Sequence, residues 1–282
     1  LPQSVPERVR RALACAALLL GWSAATAVAP DRYPVTVESL KEGNTHRVIA
    51  RNGGRAPIQM TFSLASSTNL RSSRAWPFVV VLHAGQTDEM VRVRPGDERQ
   101  GYNFSYRYAV LLGDPRARPD PNARYRIPFA NGLGFRVSQA PGGPLITHND
   151  VQTANAIDIV MPEGTPIVAA RAGFVIEIYE KSETRADLAG RGNFIRIFHD
   201  DATWADYAHL SRVASDLTLN AGIDAGRLIG YSGNTGQSSG PHLHFHVQHN
   251  DGGTVRSIPV RFHTRTQGVV TPVYQGMLRA DD

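Results

Sequence analysis

The chain has 282 residues, 41% hydrophobic and 20% charged. This balance excludes a disordered or collagen-like chain, and the length exceeds one average domain, so two domains are expected. The formal net charge is +5, and Glu7, Arg8, Arg10 and Arg11 account for +3 − 1 = +2 of it, leaving +3 without them. So mild a surplus is not the footprint of a nucleic-acid binder. The 18 prolines and 26 glycines favour frequent turns and a β-rich fold.

At the N-terminus, Arg8 to Arg11 form a basic region ahead of an apolar run from Ala12 to Leu20. Ala25-Thr26-Ala27 and Ala27-Val28-Ala29 then offer small residues at peptidase positions, so residues 1–29 read as a secretory signal peptide. Pro30 would hinder the second cut, which favours cleavage after Ala27. A retained anchor is the other reading, but the run is shorter than the ~20 residues a span needs. The single cysteine, Cys15, lies inside the run, so the mature chain has no disulfide and no cysteine-ligated metal. The expected location is the periplasm or the cell exterior, with no stable membrane insertion after cleavage.

Residues 30–113 alternate with period two. Ile58, Met60, Phe62 and Leu64 share one face, as do Phe104, Tyr106, Tyr108 and Val110, and Phe78 to Leu82 reads as a buried strand. Short strands between turns predict a β-sandwich-like accessory domain. His46 and His83 read as ordinary strand-edge residues. Residues 114–123, with Pro115, Pro119 and Pro121, read as a semi-rigid linker. Residues 124–282 are again mostly strands, from Ala156–Val160 through Gly173–Tyr179, Phe194–His199 and Trp204–Leu210 to His242–His249.

Seven of the 10 histidines lie between His148 and His249. In a strand, His242, His244 and His246 share one face, and Leu243, Phe245 and Val247 the other. The apolar face packs on a core; the histidine face suits a divalent metal or is simply solvated. Asp158 is a charge inside the apolar strand Ile157 to Val160, which calls for a metal or an arginine partner. His148 lies in a Gly- and Pro-rich loop, and His209 in the short strand Tyr207-Ala208-His209-Leu210.

The set His148, Asp158, Tyr207-Ala208-His209-Leu210 and Gly240-Pro241-His242-Leu243-His244-Phe245 resembles the lysostaphin/LytM-type zinc metallopeptidases, which cleave peptides in bacterial cell walls. Gly164, Gly173, Gly192-Asn193 and Gly233-Asn234-Thr235-Gly236 match supporting positions, and the resemblance spans about Tyr125 to Val247. It implies an antiparallel β-sheet metallopeptidase domain, which with the β-sandwich-like reading of residues 30–113 makes an all-β chain. It implies one Zn²⁺ per chain on His148, Asp158 and His244, with His209 and His242 as catalytic histidines that are not ligands. Three protein ligands leave a position for water, which the metal activates for attack on a peptide carbonyl of peptidoglycan. No His-Glu-x-x-His segment is present, so a glutamate-based zincin mechanism is not expected.

Two departures stand out. Nine residues separate His148 from Asp158, more than in the family's commonest motif, and Asp150 is a rival ligand nearby. His246 stands where other polar residues are usual, either supporting a ligand or lining the groove. His199, His249 and His263 read as structural, and Asn193 as a groove or turn residue. Two alternatives to an active enzyme remain: a non-catalytic cell-wall-binding or hydrolase-activating protein with the same fold, and a zinc reserve protein. The accessory domain could dock on the wall, position the active site or cover the groove.

Overall fold

The computed structural model describes residues 25–28, 33–144, 147–181 and 190–281. The apolar run with Cys15, the preferred cut's flanking residues before 25, and most of the charged stretch from Glu180 to Arg191 lie outside the described residues. Among the described residues every helix or strand element is a strand, as expected for an all-β chain. No helix there is long and apolar enough to cross a membrane.

The first unit contains β1 (Ala25–Val28), β2 (Val35–Glu42), β3 (Thr45–Asn52), β4 (Ile58–Thr68), β5 (Leu70–Ser72), β6 (Phe78–Leu82), β7 (Thr87–Pro95) and β8 (Asn103–Leu112). They make two four-stranded sheets, ordered β1-β8-β4-β6 and β2-β3-β7-β5. Alternation directs Ile58, Met60 and Phe62 from one sheet against Val48, Ala50, Val91 and Val93 from the other, in one core. Two expectations are corrected. Strand β6 is a sheet edge with Val79 55% exposed, so only Leu82 of its apolar run is buried. A continuous apolar run does not say which of its faces is covered. His46 lies on the inner strand β3, with its ring buried and Nδ1 2.6 Å from the Tyr102 hydroxyl.

The stretch that follows is tied down at both ends. Asp114 receives the Arg116 guanidinium at 3.0 and 2.9 Å, and the Asp120 amide donates to Asp201 Oδ2 at 3.0 Å.

The second unit contains β9 (Gly134–Gln139), β10 (Ile157–Val160), β11 (Pro166–Val168), β12 (Gly173–Tyr179), β13 (Asn193–Phe198), β14 (Trp204–Val213), β15 (Gly222–Ile223), β16 (Leu228–Ser232), β17 (His242–Asp251) and β18 (Thr254–Ile258). Three short strands close it: β19 (Phe262–Thr264), β20 (Gly268–Val270) and β21 (Met277–Arg279). Its large sheet runs β15-β12-β13-β14-β17-β10-β9-β21, with β11, β16 and β18 attached off this path. The core beneath it holds Ile157, Ile159, Ile195, Ile197, Tyr207, Leu243, Phe245 and Val247. Strand β17 therefore sits between β14 and β10 and brings their side chains to its histidine face.

The two units share a contact. Ile176, Phe198 and Trp204 of the large sheet pack into the first unit's core. Asn250 Nδ2 donates to Gln59 Oε1 at 3.0 Å and to the Gly113 carbonyl at 3.3 Å. By strand rise, that contact lies roughly 25 Å along β17 from His242.

Candidate metal centre and its histidine neighbours

Strand β17 follows the alternation closely. Leu243, Phe245 and Val247 are fully buried in the core, and His244 and His246 are buried on the opposite face rather than solvated. Register then sets what those rings meet. His244 pairs with Asp158 of β10 on one side and Ala208 of β14 on the other. His246 pairs with Asp206 of β14.

His244 Nδ1 lies 2.9 Å from Asp158 Oδ1, and His148 Nε2 lies 3.4 Å from Asp158 Oδ2. The three donor atoms lie within 4.8 Å of one another. The long separation in sequence is thus bridged by a loop that carries His148 back over β10. Gln139, the register partner of Asp158 on β9, donates from Nε2 to Asp158 Oδ2 at 2.7 Å. Its own Oε1 accepts from the Thr147 amide and hydroxyl at 3.2 and 2.9 Å, fixing the residue next to His148. Sequence reasoning missed Gln139, because nothing in the chain marks it before the β9–β10 register is known.

His209 and His242 stand beside this group, with ring centroids 4.7 Å apart; His209 lies 5.8 Å from the His244 ring. His242 Nδ1 is 2.8 Å from the Gly240 carbonyl, and His209 Nδ1 is 2.7 Å from the Thr235 carbonyl. A carbonyl only accepts, so each ring carries its proton on Nδ1 and leaves Nε2 free. His242 Nε2 points at Asp158 Oδ1, 3.8 Å away. The 236–241 turn thus delivers the strand that carries these rings.

The electrostatics separate the groups. Burial raises the Asp158 carboxyl, but the hydrogen bond and positive fields of the surrounding histidines outweigh it and hold it below its usual range. Burial lowers His148, and burial followed by the fields of His242 and His244 pushes His209 down to about 4. His209 is therefore a neutral imidazole at pH 7.

Backbone geometry around His209 is strained. Its φ is +62°, in the left-handed region that few non-glycine residues adopt. Its amide donates to the Arg191 carbonyl at 3.0 Å, beside Gly192. Gly192 also has φ +62°, and a Cβ there would meet the Thr235 carbonyl carbon and oxygen at 2.4 Å. Gly192→Ala should therefore push away the turn at Thr235, whose carbonyl holds the His209 ring. We expect a loss of about 1–3 kcal/mol in stability. Thermal unfolding checks this; an unchanged melting temperature would show that the Gly192 conformation is not required there.

The other sequence candidates lie elsewhere. Asp150 spends its carboxylate on the amides of Gln152 and Thr153 and the Thr153 hydroxyl, at 2.7–3.0 Å, closing a turn. His199 is buried with Nδ1 donating to the Ala172 carbonyl at 2.8 Å. His249 and His263 are partly exposed on β17 and β19. Asn193 is buried, with Nδ2 donating to the Leu210 carbonyl at 3.2 Å and Oδ1 accepting from the Lys181 amide at 2.9 Å, so it braces strands rather than lining a groove.

Comparison with known proteins gives this region a family. Residues 152–256 match the model of Peptidase family M23. The match includes Asp158, His209, His242 and His244, and begins just after His148. The DD-carboxypeptidase/endopeptidase Mpg of Neisseria meningitidis is 33% identical over 94 residues, 33% of this chain and 20% of that protein. The peptidoglycan DD-endopeptidase ShyA of Vibrio cholerae is 33% identical over 93 residues, again 33% and 20%. The chain thus spans about a fifth of the length of these curated relatives. Among solved structures, the catalytic domain of the prophage-encoded M23 protein EnpA from Enterococcus faecalis is 25% identical with a TM-score of 0.34, covering 53% of this chain and 97% of that one.

Proposed function

We propose that this chain is an exported, zinc-dependent endopeptidase that hydrolyses peptide bonds of bacterial peptidoglycan. The observation that carries the reading is the convergence of His148, Asp158 and His244 on one point, with two further imidazoles alongside. The substrate class is supported by relatives named as peptidoglycan and DD-endopeptidases. Export is supported by the basic and apolar pattern of residues 1–29.

The donor set fits zinc. Two imidazole nitrogens and a carboxylate oxygen are ordinary zinc donors, and three protein ligands suit a catalytic rather than a structural site. His244 Nδ1 and His148 Nε2 lie 2.9 and 3.4 Å from the two oxygens of Asp158, and one donor atom from each of the three residues falls within 4.8 Å of the others, close enough to share one ion. Zinc on these residues supplies an acidified water and polarises the scissile carbonyl. The chain supplies the rest. Asp158, held by Gln139, orients both flanking histidines. His209 and His242 place two imidazoles beside the three donors, groups of the kind that can take a proton from the nucleophile and return one to the departing amine. The Thr235 and Gly240 carbonyls keep those rings protonated on Nδ1.

The test is metal content of the purified protein, with hydrolysis of isolated cell walls measured before and after chelation. One zinc per chain and lysis that stops with chelator and returns with zinc are expected. Zinc without any lysis would favour the non-catalytic wall-binding reading, and a protein with no zinc and no lysis would overturn the proposal.

A further inference from the structure

A row of polar side chains crosses four strands directly beside the candidate metal centre. Glu177 of β12 pairs with Arg196 of β13, Arg196 with Asp206 of β14, and Asp206 with His246 of β17. All four are buried. Arg196 donates to Glu177 at 2.7 Å and to both Asp206 oxygens at 2.6 and 2.9 Å, and Arg191 adds a contact to Asp206 at 2.8 Å. Asp206 is thereby fixed as a carboxylate facing His246, whose Nε2 lies 3.5 Å from Asp206 Oδ2 and has no hydrogen-bond partner. On its other side, His246 Nδ1 is 2.9 Å from His244 Nε2.

We infer that His246 and Asp206 form a relay that holds His244 in the tautomer whose Nδ1 lone pair faces Asp158 and His148. The inference rests on the zinc reading above. The proton count supports it. Asp158···His244, His244···His246 and His246···Asp206 are three contacts that each need a proton or a cation between them. Two neutral imidazoles carry two N–H groups. Without a cation, one contact is left with facing lone pairs. With a cation at the Asp158 end, the two protons fall on His244 Nε2 and His246 Nε2: the first lies between ring nitrogens 2.9 Å apart and the second faces the Asp206 carboxylate 3.5 Å away. Asp206 pulls the proton of His246 to Nε2, which makes Nδ1 the acceptor that His244 needs. His246 is therefore a positioning residue. The surrounding strands build it in, because alternation from His244 and the β14–β17 register place it directly over a carboxylate already paired with two arginines.

The test compares His246→Leu with His246→Gln in the full chain. Glutamine can still accept from His244 and donate to Asp206; leucine can do neither. Zinc dissociation constants come from competition with a chromogenic chelator, and ring-nitrogen NMR of the zinc-loaded protein reports where the protons sit. His246→Leu should bind zinc about 10–100-fold more weakly. His246→Gln should stay within a few-fold of the unsubstituted protein. The unsubstituted spectrum should show protons on Nε2 of both His244 and His246. Unchanged zinc affinity in His246→Leu, or equal losses in both variants, would overturn the relay while leaving the zinc site standing. Should His246→Leu not fold, a proton on His246 Nδ1 in the unsubstituted zinc-loaded protein would overturn it by itself. No zinc binding by the unsubstituted protein would remove the relay and the parent reading together.

Discussion

Replacing His244 with alanine is expected to remove zinc and wall hydrolysis together, taking activity to background. Among the described residues His244 supplies one of three donors in the cluster, and its Nδ1 also lies 2.9 Å from Asp158 Oδ1. The two donors left by the substitution are too few for a catalytic zinc site. The loss can be read without any substrate. Zinc at a hundred times its dissociation constant stabilises a folded chain by about 2.7 kcal/mol. Thermal unfolding of the unsubstituted protein should therefore rise when zinc is added, and that of His244→Ala should not. Asp150→Ala is the control, because Asp150 closes a turn and should keep both zinc and its thermal response. Zinc-dependent melting in His244→Ala, or its loss in Asp150→Ala, would mean that the metal sits on a different set of donors.

How much of this centre was legible beforehand depends on whether a residue declares itself locally. The His242 to Val247 alternation assigns both faces without any partner, since side chains in a strand alternate regardless of fold. Asp158 is conspicuous because a charge inside an apolar strand needs a reason. His148 was reached by resemblance, and only a folded loop brings it to Asp158. Gln139, Asp206, Arg196 and Glu177 are invisible in the sequence for one reason: their partners are set by strand register. A one-residue slip in any of those ladders would send each side chain to the other face. The same limit explains the misreading of Phe78 to Leu82, whose composition suits a strand but not its position at a sheet edge. The strained backbone of His209 left no local mark either, because its neighbours Ala208 and Leu210 read as ordinary strand.

That strain makes His209 the most informative second target. Losing a general acid or base of this kind costs about 10²- to 10⁴-fold in rate. His209→Ala and His209→Gly should both suffer this loss in kcat, and both should retain zinc, since His209 is not among the three clustered donors. Their stabilities should differ. At φ +62° an alanine is held where its Cβ is unwelcome, and a glycine is not. His209→Gly is expected to unfold at a higher temperature than His209→Ala, corresponding to about 1 kcal/mol. Glycine's greater freedom in the unfolded chain works against that gain, so the measured difference is a lower bound on the strain. Equal stabilities would mean that the left-handed turn is accommodated at no cost. Undiminished hydrolysis in either variant would leave His242 as the sole proton carrier. The strain and the expected loss of rate have one physical cause. The Arg191 and Thr235 carbonyls hold His209 by its amide and Nδ1, and the backbone is bent to let both bonds form. The strain is sustained by the packing of β13, β14 and the 233–236 turn, and what it secures is an Nε2 that stays unprotonated beside the metal centre.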